Sequence, residues 1–128
     1  MLEAALVYGS FMFMLIAILD VGYTMFLHQT LVERARGAAR YGVARTFDAT
    51  AIQNKVLYNS PTIPSGASPI FGLQTSNVTV SETPPIAMNS PSWLTVRISG
   101  WRFFRFTPNH TGRPTGQDIS VTLPMENP

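Results

Sequence analysis

The chain has 128 residues, no cysteine, a formal net charge of +2, 45% hydrophobic residues and only 12% charged ones. These totals exclude a disulfide framework, a Cys-ligated metal, a thiol nucleophile and disorder along the whole chain. The charged fraction is about half the usual share, so the high isoelectric point reflects few charges of either sign and gives no basic surface that calls for nucleic acid.

Glu3 and Asp20 bracket sixteen uncharged residues, Ala4 to Leu19. No A-x-A-like cleavage site follows them, so the segment does not read as a cleaved secretory signal. Ala4 to Leu27 is long enough to cross a bilayer, with Asp20 inside it. An acid at the edge of such a segment costs about 3 kcal/mol unless it finds a partner, and it reads as functional by default. For Glu3 the expected partner is the N-terminal amine of another copy; for Asp20 it is an Arg or a polar backbone group. Both acids are therefore expected to set assembly register. Leu6, Val7, Phe11, Phe13, Leu15, Ile16, Ile18 and Leu19 are the expected apolar core of an assembly. The low helix propensity of Gly9-Ser10 predicts a loosened helix at that point.

All ten prolines lie from Pro61 onward. The composition up to about Asn59 favours helix. If continuous, such a helix runs roughly 80 Å at about 1.5 Å per residue. From His28 onward it turns amphipathic. The chain thus divides into residues 1–27, a hydrophobic membrane or filament-core segment; 28–59, the amphipathic continuation of the helix; and 60–128, a β-rich head. Ala35, Ala38, Ala39 and Gly42 form a strip on which another backbone can approach closely. Two partners are open for it: a neighbouring helix or the chain's own sheet.

Beyond a Pro/Ser/Gly-rich loop, three stretches read as extended: Ser76–Ser81, the longer Ser92–Phe106 and Asp118–Leu123. Leu94, Val96 and Ile98 alternate with Thr95, Arg97 and Ser99, and Gly100 marks a bend. Three strands in a meander would cover the second half of the helix with one apolar face. The class expected is α+β: one long N-terminal helix and a small antiparallel sheet.

No catalytic or metal-binding arrangement emerges. His28 and His110 have no partner at ligand spacing, and no phosphate loop or G-x-S-x-G motif is present. Neither catalytic residues nor cofactors are expected. Trp101, Arg102, Phe103, Phe104 and Arg105 form an aromatic and arginine run, read as an outer strand or a contact between subunits. Asn77-Val78-Thr79 and Asn109-His110-Thr111 match the N-glycosylation pattern, with Asn109 the more accessible.

The segment Glu3 to Tyr23, with its leading acid, its apolar stretch and Asp20-Val21-Gly22, resembles the N-terminus of TadE-like pseudopilins of Tad-type, type IV-related pili. Gln29, Leu31, Ala35-Arg36, Ala39-Arg40-Tyr41 and the closing Asp118 to Glu126 are similar to further blocks of that family. Gly9 stands where the family often has Pro, and Ala38 where it often has Gly. The resemblance implies a pilus subunit, minor or repeating, held in the cytoplasmic membrane and then polymerised through its N-terminal helix into an extracellular filament. It implies copies of itself or other pilins as partners, and a prepilin peptidase, an assembly ATPase and a platform protein as machinery. The alternative is a single-pass anchored surface module, adhesin-like, that binds a ligand and does not polymerise.

Overall fold

The computed structural model describes residues 2–85, 90–107, 112 and 114–125. Its architecture is α+β. A 42-residue helix, α1 (Leu2–Val43), leads into a ten-residue helix, α2 (Ala49–Tyr58), and a three-stranded antiparallel sheet follows. The strands are β1 (Val78–Thr83), β2 (Ser92–Ile98) and β3 (Ile119–Met125), in the order β1-β2-β3. Short 3-10 turns at Ile70–Gly72 and Thr75–Asn77 shape the loop before β1.

The helix does not run unbroken to Asn59. It stops at Val43, so α1 spans roughly 63 Å at about 1.5 Å per residue. Asp48 ends the continuation. Its backbone is extended and its Oδ1 accepts from the amides of Thr50 and Ala51, so a new helix starts there. Asn59 closes α2 in the left-handed conformation, at φ 58°. The expected opening at Gly9-Ser10 is absent, because α1 is regular across it. Ser10 Oγ donates back to the carbonyl of Val7 at 2.9 Å, which occupies the hydroxyl without opening the turn.

The core lies between the second half of α1, α2 and one face of the sheet. Leu27, Leu31, Ile52, Val56, Val78, Leu94, Val96 and Ile98 are all at most 2% exposed. Each large apolar side chain buried this way contributes about 1.5–3 kcal/mol. The alternation in β2 is as read from the sequence: Leu94, Val96 and Ile98 face inward, while Trp93 and Arg97 face out. β2 is central, with Val96 opposite both Val80 and Val121. Pro124 sits in β3, an edge strand that can spare an amide.

The strip Ala35, Ala38, Ala39 and Gly42 is fully covered by the chain itself, and so is not presented to a neighbouring helix. A Cβ on Gly42 would come within 2.6 Å of both Ile52 Cδ1 and Leu94 Cδ2, so the small residues let α2 and β2 close onto α1. Nor does the long strand expected through Phe106 form. β2 ends at Ile98, Gly100 turns at φ 66°, and among the described residues of the run that follows only an isolated bridge forms, from Arg102 to Thr115.

Candidate functional site: a bare apolar rod and its junction with the head

The head covers α1 only from Asp20 onward; Asp20 is the first residue of the helix that is buried. Before it, the helix projects alone. Leu6, Val7, Phe11, Phe13, Leu15, Ile18 and Leu19 are between 39% and 69% exposed, and Ile16 is half-buried. An 18-residue window of this helix has a mean hydropathy of 2.1, so α1 is long and apolar enough to span a membrane. A contiguous apolar surface of this size marks a contact with lipid or protein rather than with water. Glu3 lies exposed at its tip, and its carboxylate makes no ion pair or hydrogen bond with another described residue.

The partner expected for Asp20 is an Arg or a polar backbone group, and the structure gives Asp20 backbone groups from the head of the same chain. Its carboxylate accepts from the backbone amides of Phe106, at 2.5 Å, and Thr107, at 3.0 Å, and from the Thr107 hydroxyl. Both oxygens are thus used by the head of the same chain. A charge only 8% exposed, held by three donors, is a sound arrangement where an unpaired one would not be. Asp20 latches head to rod, and the polar backbone partner foreseen for it is intramolecular.

The latch fixes the course of residues 101–107, which descend α1 from His28 toward Asp20. Trp101 lies beside His28, with centroids 6.3 Å apart, and Phe106 meets Tyr23 edge-on at 6.0 Å. Trp101 and Phe103 are buried, at 4% and 8% exposure, so they are core and not surface contacts as expected. Trp101 Nε1 donates to the carbonyl of Gln117 at 2.8 Å. Its ring lies where a Cβ on Gly116 would sit, within 1.9 Å, so that glycine makes room for it. Arg102, Phe104, Arg105 and Phe106 are the members of this run that face outward. An apolar cleft of about 390 Å³ opens between Met25, His28, Trp101 and Phe103.

Asn77 is committed to structure. Its Nδ2 donates to the carbonyl of Ser99 at 2.9 Å and its Oδ1 accepts from the amide of Gln74 at 2.9 Å, which leaves the amide nitrogen poorly placed for a glycan. Asn109 and His110 lie outside the described residues. No group of three or more His, Asp or Glu is placed to hold a metal ion among the described residues.

Phe106 and Thr107 are the site residues that the sequence did not disclose as partners of Asp20. The one cue was an acid set inside an apolar segment, which demands donors without saying where along the chain they lie. Compared with family models, curated proteins and solved structures, the chain gave no match.

Proposed function

We propose that this protein is a structural subunit of a pilus-like filament, similar in plan to TadE-like pseudopilins of Tad-type pili. It waits in the cytoplasmic membrane by its rod, Leu2 to Leu19, and then polymerises outside the cell through that rod. The observation that carries this reading is the division of a single helix. Its second half is the spine of a packed head, and its first half is apolar and bare on nearly every side.

Such a rod needs an apolar surrounding at every stage. Lipid supplies it first and sister rods supply it next, so transfer between the two changes hydrophobic burial little. Directional groups then decide the offset between rods. Glu3 is the only charged side chain between Leu2 and Leu19, and in a dry core a carboxylate is costly to leave without a partner, so it selects the position where a neighbour's terminal amine lies within reach. Asp20 contributes by holding the head at a fixed place on the rod.

The test is Glu3→Ala expressed in the native host beside the wild type. The subunit reading expects normal amounts in the membrane and loss from the filament fraction sheared off cells. Normal incorporation of the variant would overturn the register role. Retention of the wild type wholly in membranes would favour an anchored surface module instead.

A further inference from the structure

We infer that the base of the head is a lipid-docking surface: Phe104, Phe106 and Arg105 seat on the headgroup layer of the bilayer that the rod crosses. This rests on the reading of Leu2–Leu19 as membrane-spanning before assembly, and it adds a second, lateral contact with lipid that the rod alone does not require.

Position comes first. From Leu2 to Asp20 the helix rises roughly 27 Å at about 1.5 Å per residue. The hydrocarbon core of a bilayer is about 30 Å thick. Asp20 therefore stands at the hydrocarbon boundary, and the hydrogen bonds from Phe106 and Thr107 hold the 104–107 segment at that same level.

Composition comes second. Phe104 and Phe106 are 54% and 50% exposed, yet they meet each other edge-on at 5.3 Å, forming one apolar wedge beside the rod. Arg105 extends across the Phe103 ring, 5.6 Å from its centroid. It makes no close ion pair among the described residues, and the carboxylate it faces at longer range, Asp20, is already occupied by three donors. Aromatic rings at the depth of the headgroups with an arginine above them are the residues that a membrane interface favours, and the guanidinium matches lipid phosphate in charge and donor geometry. A cleft of about 400 Å³ opens between rod and segment at this height, its lining shared between apolar residues such as Ala17, Val21 and Phe103 and the polar Asp20, Arg105 and Thr107. Arg102 points outward higher on the same run, nearer the level of His28. The contact thus has a gradient, deepest at Phe106 and fading toward Arg102.

The chain has no native cysteine, which makes the test direct. Full-length single variants Leu15→Cys, Phe106→Cys, Phe104→Cys, Arg102→Cys and Thr95→Cys are nitroxide-labelled and reconstituted in vesicles of equimolar phosphatidylcholine and phosphatidylglycerol. Collision with oxygen and with a water-soluble nickel chelate then reports depth. The latch uses the backbone amide of residue 106, so labelling that side chain leaves the latch in place. The expected result is Leu15 in hydrocarbon, Phe106 and Phe104 at headgroup depth with nickel collisions reduced several-fold relative to Thr95, and Arg102 shallower than either. Leu15 in hydrocarbon with Phe104 and Phe106 as wet as Thr95 would overturn the docking surface while leaving the membrane reading intact. Leu15 in water would overturn both. Spin–spin broadening at Phe104 and Phe106 would assign this face to a second copy of the chain and overturn the lipid assignment.

Discussion

Asp20 shows how one side chain organises the junction. Its charge sits where the bare rod meets the head, and a carboxylate with three donors there is stabilising only while all three point inward. Removing it leaves the amides of Phe106 and Thr107 without their acceptor. Asp20→Ala is therefore expected to speed hydrogen exchange at those two amides roughly tenfold or more, with little change in the β2 amides, since local opening is independent of the packed sheet. Unchanged protection at Phe106 and Thr107 would show that the segment is held by ring packing alone. Asp20 announced itself in the sequence as a charge in need of a partner. The partner lies 86 residues away, and the pairing depends on how the head folds back along the helix, which no local pattern encodes.

At the scale of elements, the helix and the strand faces were legible because periodicity reports them directly. Leu94, Val96 and Ile98 alternate in the sequence and in the sheet. The break between Val43 and Ala49 was missed because no proline or glycine punctuates it. The available cue was Asp48 ahead of Ala49-Thr50-Ala51, an N-cap set inside a helix-favouring run. The run from Trp101 to Phe106 has strand composition but, among the described residues, bridges a neighbour only at Arg102, because Trp101 and Phe106 pack against α1 instead. The error at Gly9 has a different cause. Propensity is a weak prior, and one glycine among strong helix formers lowers helix stability without opening it. A Cβ at Gly9 would meet nothing within 4 Å. Gly9→Ala should then raise the helicity of the rod in detergent micelles by the equivalent of about 0.5–1 kcal/mol, measured by circular dichroism. A loss of helicity would contradict the view that Gly9 merely weakens a regular helix with open space beside it.

The whole molecule is a head gripping one half of a rod. The grip is internal: Ala35, Ala38, Ala39 and Gly42 close onto α2 and β2, so any contact with another molecule must use the bare half or the outer faces of the head. That arrangement suits a subunit whose head keeps its own fold while its rod changes surroundings. The decisive measurement places photoreactive benzoylphenylalanine at position 13, where Phe13 is 58% exposed, and irradiates both membranes and sheared extracellular material. The filament account predicts lipid adducts in membranes, and in the sheared fraction adducts to other copies of the chain or to another subunit bearing a like rod. Protein confined to membranes, with position 13 attached to lipid alone, would contradict it.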